Sequence, residues 1–377
     1  MYFLVQTSIP LPVVVQRLVT GTQSFPLLAV PFFILAAHIM NASGITSRLI
    51  KLADALVGHL PGAVAQVATV LAMLIGGVTG SSNADAALET RLLLPEMRKR
   101  GYNDGFSGVV IASSTLTTAL IPPSIGLVLY GFAGQVSIGK LLIAGMIPGI
   151  VMGLATMLVT HVIAIRRRYD LEYKGRKKSW KEILVATKEG VWALLFPIFL
   201  LVTIRFGVFT PTEAAAFAVA YAFLVGKFIY KELDGEKLIE ALRNAAEDNA
   251  IIMLIVSMAA ILGYALAYEK LPVKMANLVL GTAHSPYGLM AVIIVFLLVA
   301  GMLMEGTVNT LLLTHLFLPI VVNAGFDPVH FGIIFQVMIQ LGGLTPPVGV
   351  NMYTVCSLVI FRWKPLLKKA YLISLLC

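Results

Sequence analysis

Long runs of apolar residues, separated by short polar connections, dominate the chain. Residues 141–165 and 191–204, for example, contain no Asp, Glu, Lys or Arg. An α-helix needs about 20 mostly apolar residues to cross a bilayer, and the chain contains many segments of this kind. The pattern predicts an all-α integral membrane protein that crosses the membrane several times.

Two stretches of the chain repeat the same spacing of glycines and prolines. Residues 94–124 and 318–348 align without gaps at an offset of 224 residues. The shared positions are Leu94/Leu318, Pro95/Pro319, Gly101/Gly325, Gly108/Gly332, Leu120/Leu344, Pro122/Pro346 and Pro123/Pro347. Five predicted crossings separate the copies, and an odd number places them in opposite orientation. Inverted repeats of this kind are typical of secondary transporters, which bind their cargo near the middle of the membrane.

Each copy follows an apolar stretch that small polar residues interrupt, GGVTGSSNADAALE at residues 76–89 and AGMLMEGTVNTLLL at residues 300–313. By the count of crossings, residues 61–95 and residues 286–319 each leave and return on one side of the membrane. This predicts two re-entrant helical hairpins. The tandem prolines that follow cannot donate backbone hydrogen bonds and clash with the preceding turn, so each copy also contains a broken helix.

These patterns divide the chain into six units. They are an N-terminal scaffold helix with an amphipathic arm (1–60), a first transport repeat (61–140), scaffold helices with a cytoplasmic basic loop (141–248), a scaffold helix with the amphipathic arm of the second repeat (249–285), a second transport repeat (286–361) and the start of a C-terminal helix (362–377). The first residues show no basic region or small-residue cleavage site, which argues against a signal peptide.

Composition and charge agree with a membrane protein. Hydrophobic residues make up 58% and charged residues 12% of the chain, and the mean hydropathy is +0.90. The net charge of +9 does not indicate nucleic-acid binding, because the basic residues lie in short connections, where they report membrane orientation. The densest cluster, residues 166–181, is therefore predicted to be cytoplasmic.

The hairpin tips and the facing proline breaks are the predicted chemical centre. Hydroxyl, amide and freed carbonyl oxygens suit a hard cation such as sodium. We expect two symmetry-related cation sites, formed by Ser81, Ser82, Asn83, Thr118, Ile121 and Pro122 in one half and by Gly306, Thr307, Gly342, Thr345 and Pro346 in the other. The alternative explanation for such small residues is close helix packing.

Three further polar residues at the tips, Asp85, Glu305 and Asn309, are candidates for substrate binding or ion coupling. Carboxylates are costly inside a membrane unless they are paired or functional, and the alternative is a hydrogen-bonded structural acid. Glu213 follows Thr210-Pro211 and is interpreted as part of a helix cap.

Other kinds of chemistry find little support. The two cysteines, Cys356 and Cys377, and the six histidines show no spacing for a disulfide framework, haem or a transition metal. Residues 134–141 approach a phosphate-binding loop, but Leu141 stands where that motif needs Ser or Thr. No nucleophile–base pair is evident, so an enzyme is not predicted, and no cofactor other than coupling ions is expected.

Together, seven segments of the chain resemble the large membrane subunit of TRAP transporters, the tripartite ATP-independent periplasmic family. They are FPLLAVPFFILAAHIMNASGI, GGVTGSSNADAA, LPEMRKRGY, IPPS, FTPTEAAAFAVAYAFLV and DPVHFGII with LTPPVGVNMY. The resemblance implies a sodium-driven, elevator-type importer of organic acids such as C4-dicarboxylates or sialic acid, in the cytoplasmic (inner) membrane of a bacterium or archaeon. The implied partners are a small membrane subunit and a periplasmic substrate-binding protein.

One alternative function and one departure from the family pattern accompany this resemblance. A stand-alone sodium/carboxylate or ion exchanger of the same architecture would need no binding protein. Members of the family also usually carry a further helix before this N-terminus and a complete final helix, so a shortened chain is expected.

Overall fold

The fold is built from helices throughout the part of the chain that the computed structural model describes, which is residues 10–169, 178–271, 274 and 285–361. In chain order the helices are α1 (Leu11–Thr20), α2 (Ala29–Ala42), α3 (Ile45–Val57), α4 (Ala63–Thr79), α5 (Ser82–Lys99), α6 (Asp104–Ser114), α7 (Ile125–Gly134), α8 (Ile138–Arg167), α9 (Trp180–Arg205), α10 (Pro211–Leu224), α11 (Gly235–Tyr268), α12 (Pro286–Leu303), α13 (Gly306–Asn323), α14 (Pro328–Gly342) and α15 (Val350–Phe361). A 3-10 turn leads into α2, and a π-helical turn follows α10.

Seven helical segments among the described residues are long and apolar enough to cross a membrane. They are Phe25–Ala42, Ile138–Arg167, Trp180–Arg205, Pro211–Ile229, Gly235–Tyr268, Pro286–Leu303 and Gly306–Asn323. Their lengths and their exposed apolar side chains confirm the predicted multi-pass, all-α membrane protein.

Both predicted helical hairpins are present, and that they re-enter the membrane rather than cross it stays a prediction. Hairpin 1 consists of α4 and α5, joined at Gly80 and Ser81, and hairpin 2 consists of α12 and α13, joined at Met304 and Glu305. The offset of 224 residues extends through them, because α5 and α13 begin and end that distance apart. The repeat found around the prolines therefore includes the whole hairpin.

Both predicted broken helices are present as well. Break 1 (residues 115–124) separates α6 from α7 and includes a short 3-10 turn. Break 2 (residues 343–349) separates α14 from α15. The Pro122–Pro123 and Pro346–Pro347 peptide bonds, one in each break, are both cis.

The two halves pack against each other through the helices that follow the breaks. The end of the first broken helix, α7, packs against α13 of hairpin 2, and the end of the second, α15, packs against α5 and α6 of the first half. Tyr130 of α7 is fully buried, and its hydroxyl donates a hydrogen bond of 2.9 Å to the Pro328 carbonyl. Its ring contacts Phe331 and Phe335. These contacts hold the breaks and the tips in one layer.

The remaining helices flank this layer. Helix α2 packs against α10 and α11, and α3 packs against α4 and α9. Thr210 and Glu213 form a capping box at the start of α10, which confirms the interpretation of Glu213. On α3, Arg48 pairs with Glu232 at 2.7 Å and lies over the ring of Tyr230, so it ties α3 to the connection before α11.

Helix α11 crosses residue 248, where the predicted scaffold units 141–248 and 249–285 meet, and joins a polar stretch to an apolar one. It runs unbroken through 34 residues from Gly235 to Tyr268, about 51 Å at 1.5 Å per residue. Asp234 caps its first turn by accepting from the Lys237 amide at 2.8 Å, and no proline interrupts it. The polar stretch therefore continues into the apolar one as a single helix.

Several predicted features lie outside the described residues. They are the first nine residues, part of the basic loop (170–177), most of the second amphipathic arm (272–273 and 275–284) and the C-terminal segment with Cys377 (362–377). The boundaries of the six predicted units stay predictions.

Candidate functional site

The tips of the two hairpins meet each other. Ser81 is the N-cap of α5, and Glu305, at the equivalent position, is the N-cap of α13. The Glu305 carboxylate accepts hydrogen bonds from the backbone amides of Thr307 at 2.6 Å and Val308 at 3.3 Å, at the positive end of the helix dipole. Across the contact, Asn83 Nδ2 lies 3.4 Å from Glu305 Oε1. A polar bridge thus joins the two halves.

A cavity, here called the central cavity, lies where the tips meet. Its walls include the predicted residues Ser81, Ser82, Asn83, Glu305, Gly306 and Thr307, together with Ala119 and Gly343 of the two breaks. The fold therefore brings the two predicted tip clusters, which are more than 200 residues apart in sequence, to a single point. This is the arrangement that the inverted repeat predicts for a binding site.

Each break packs directly against the joint of its own hairpin. In the first half, the Ile125 amide donates to the Gly80 carbonyl at 3.3 Å. In the second half, the amides of Val348 and Gly349 donate to the Met302 carbonyl at 3.2 and 3.0 Å. These hydrogen bonds place a backbone carbonyl of each hairpin close to its break. Such oxygens, together with hydroxyl and amide oxygens, are ligands of a hard cation.

The other residues predicted as cation ligands do not line the central cavity. Thr118 is fully buried and its hydroxyl donates to the Ala72 carbonyl at 3.4 Å. Thr345 donates to the Leu341 carbonyl at 2.9 Å. Gly342 lies against hairpin 2, where a Cβ added to it would come within 2.7 Å of the Gly301 Cα. The structure also places Ile121, Pro122 and Pro346 in the breaks.

Asp85 and Asn309 occupy equivalent positions one turn behind the tips, and both are fully buried. The Thr79 hydroxyl donates to the Asp85 carboxylate at 2.7 Å, which ties the two arms of hairpin 1. Asn309 Nδ2 donates to the carbonyls of Ala300 at 3.2 Å and Met304 at 2.9 Å, which ties hairpin 2. Both residues hold a hairpin closed, and their role in substrate binding or coupling stays a prediction.

A second cavity, of about 480 Å³, lies on the other side of the tips and reaches α2 and α11. It shares Ser81, Asn83 and Glu305 with the central cavity. On its far wall His38 Nε2 lies 2.8 Å from Asp248 Oδ2. Ser81, Asn83 and Glu305 at the tips therefore line two cavities, the central cavity and a second one that extends to the flanking helices.

Sequence reasoning missed several polar residues of these cavities. Gln336, Gln340 and Asn351 line the central cavity, and Glu89 is fully buried one turn beyond Asp85, with Ser114 Oγ donating to it at 2.9 Å. Their residue types could have indicated a role, because a polar or acidic side chain in a membrane helix costs free energy unless it is paired or functional. Among the described residues, no three His, Cys, Asp or Glu side chains come together to hold a metal ion.

Comparisons with known proteins agree with this architecture. The family profile of the tripartite ATP-independent periplasmic transporter, DctM component, matches residues 1–373. The chain is 38% identical to the isethionate TRAP transporter permease protein DctMQ of Oleidesulfovibrio alaskensis, over 92% of this chain and 54% of that protein. It is 37% identical to the 2,3-diketo-L-gulonate TRAP transporter large permease protein YiaN of Escherichia coli, over 92% of this chain and 80% of the relative.

A third relative is the sialic acid TRAP transporter large permease protein SiaM of Vibrio cholerae, which is 37% identical over 90% of this chain and 79% of its own length. Among solved structures, the YdaH transporter of Alcanivorax borkumensis, described as having an unusual topology, superposes with a TM-score of 0.65 at 14% identity. The match covers 94% of this chain and 82% of that one, and it supports the fold.

Proposed function

Because this chain belongs to the family of the DctM component of tripartite ATP-independent periplasmic transporters, we propose that it is a permease that imports an organic acid across the cytoplasmic membrane. Sodium ions bound at the two tips would drive the uptake, and the paired repeats would move against the flanking helices in an elevator-type motion. A small membrane subunit and a periplasmic substrate-binding protein would complete the transporter.

The meeting of the two hairpin tips at one cavity carries this proposal. Two tips that carry hydroxyl, amide and carboxylate oxygens, related by the repeat, meet at one cavity with Ala119 and Gly343 of the two breaks. Oxygen ligands without a charged amine or a transition-metal cluster favour a weakly held hard cation over a catalytic metal. A cation held at each tip would place positive charge beside the cavity, where a carboxylate could bind.

The names of the relatives guide the choice of cargo. They specify isethionate, 2,3-diketo-L-gulonate, sialic acid and C4-dicarboxylates, all of which are organic anions. We extend that class, and not any one compound, to this chain.

Uptake into proteoliposomes tests the proposal. The chain is reconstituted with a candidate small subunit and binding protein encoded beside its gene, and the uptake of labelled organic acids is measured with an inward sodium gradient and with potassium in its place. We expect uptake only with the sodium gradient. Uptake that is unchanged in potassium would refute sodium coupling, and full uptake without the binding protein would favour a stand-alone exchanger.

Variants at the tip make the test specific. Asn83→Ala removes an amide of the central cavity, and Thr345→Val removes a hydroxyl of break 2. Each is expected to abolish sodium-dependent uptake while the protein still inserts. Asn323→Ala is the matched control, because Asn323 is exposed at the far end of α13. Normal sodium dependence in both tip variants would contradict the assignment of the tips.

A further inference from the structure

The second half of the protein carries three amide side chains at the central cavity that the first half lacks. Gln336, Gln340 and Asn351 all line this cavity. At the offset of 224 residues, the first half has Ala112, Leu116 and Leu127 at these positions, and all three are buried apolar residues. The backbone is repeated, but this polar surface is not.

The amide of Gln336 has a fixed orientation. Its Nε2 donates to Thr310 Oγ1 at 3.1 Å, and the Thr310 hydroxyl donates onward to the Gly306 carbonyl at 2.7 Å. Since that hydroxyl has used its only proton, it can accept only from a donor, so Nε2 must face Thr310. The Gln336 Oε1 is packed against Gly126 of the first half, where an added Cβ would lie 2.7 Å away from it.

The side-chain oxygen of Asn351 accepts no hydrogen bond from any described residue. The residue is 2% exposed, and its Oδ1 has no hydrogen-bond partner among the described residues. Its Nδ2 lies 3.5 Å from Gln340 Oε1, so the two amides form a pair. Ser82 Oγ, in the first-half wall of the same cavity, is also buried and has no partner in the described part of the chain. Buried polar atoms without partners are costly unless a ligand or water completes them.

The asymmetry of these residues indicates which ligand they serve. On the proposed function, one cation binds at each tip beside its break, and both halves contain a tip and a break. A single organic acid in the central cavity binds once, so its contacts need not be repeated in both halves. Amides donate and accept hydrogen bonds without carrying charge, so they match hydroxyl groups better than carboxylates.

We propose that Gln336, Gln340 and Asn351 form the recognition surface for the hydroxyl groups of the carried acid, and that this permease therefore selects hydroxylated organic acids over plain acids of the same length. This inference rests on the proposed function, since it names the class of cargo for the same central cavity. A site with hydrogen-bonding groups of this kind rejects a ligand that leaves them unpaired.

Matched pairs of acids provide the test. In the reconstituted transporter, sodium-driven uptake is compared for succinate and malate, which differ by one hydroxyl group, and for adipate and glucarate, which differ by four. The variants Asn351→Leu and Gln340→Leu copy Leu127 and Leu116 of the first half. We expect the wild type to prefer the hydroxylated acid of at least one pair, and each variant to reduce that preference about ten-fold, the equivalent of one hydrogen bond.

The plain acid serves as the internal control, because the ratio of hydroxylated to plain acid uptake in one variant cancels any loss of transport that affects both acids. Asn323→Leu repeats the same substitution at the exposed end of α13 and should leave both acids unchanged. Equal loss of plain and hydroxylated acids in both variants would overturn the proposal, as would a wild type without preference in either pair. A wild type without sodium-dependent uptake of any probe would instead refute the proposed function.

Discussion

The replacement Gly342→Ala tests whether close contact between hairpin 2 and its break holds the second site together. Gly342 is the last residue of α14 and is buried. A Cβ built there would lie 2.7 Å from both Cα and C of Gly301 and would also press on the carbonyl oxygen of Leu298. All of these are backbone atoms, so no rotamer change can relieve the clash.

The size of the effect follows from that geometry. To reach ordinary van der Waals separation, the end of α14 has to move away from α12 by about 1 Å. Overpacking of this kind lowers the free energy of unfolding by about 1–3 kcal/mol. The displacement also moves the carbonyls of break 2 relative to the tip, so the sodium concentration for half-maximal uptake should rise.

Gly108→Ala is the matched control for this experiment. Gly108 lies within α6, and the nearest atom to an added Cβ is Val355 Cγ1 at 3.5 Å, an ordinary contact. Replacing glycine by alanine inside a helix gains up to about 1 kcal/mol, so this variant should be neutral or slightly more stable. Thermal unfolding in one detergent and sodium titration of uptake compare the two variants. If Gly342→Ala unfolded and titrated like Gly108→Ala, the close contact would not matter and the reasoning would be wrong.

Three further substitutions probe the tips and their surroundings by thermal unfolding and sodium-driven uptake. Glu305→Ala removes the cap of α13 and should cost about 0.5–2 kcal/mol and weaken sodium dependence; unchanged values for both would contradict the bridging role of Glu305. Thr79→Val takes the hydroxyl donor from the buried Asp85 carboxylate and should cost about 1–3 kcal/mol, whereas Thr79→Ser should retain most of the stability. His38→Gln should change stability by less than about 1 kcal/mol, because side chains of the His38–Asp248 pair are 26% and 55% exposed; a larger loss would show that this pair holds α2 to α11.

Glycines and prolines that end or break helices were enough to predict the two hairpins and the two broken helices. Gly101 and Gly325 both have positive φ and lie just after the ends of the equivalent helices α5 and α13. Each break contains one pair of tandem prolines. These features act over a few residues, so a sequence pattern can identify them. Because the same offset of 224 residues relates each glycine and proline of one copy to its counterpart in the other, the repeat could be identified from the sequence.

Features that depend on contacts between distant elements were not accessible in the same way. The approach of Asn83 to Glu305 joins residues 222 positions apart and depends on how the halves dock. Gln336 and Gln340 lie in a helix whose pattern is otherwise apolar, and the sequence does not reveal that their side chains face a cavity rather than lipid or a helix partner. The unbroken course of α11 was missed because an amphipathic stretch before a span is also typical of an interfacial arm.

The two halves place their carboxylates at different depths, and this difference bears on coupling. In the first half the acids Asp85 and Glu89 are fully buried behind the tip, and the N-cap is the neutral Ser81. In the second half the positions of Asp85 and Ser81 hold Asn309 and Glu305, so the carboxylate has moved forward to the wall of the central cavity. A cargo carboxylate in this cavity would meet Glu305, and like charges repel strongly where water is scarce. On the proposed function, a cation between them relieves that repulsion, which gives cargo binding a physical reason to require sodium.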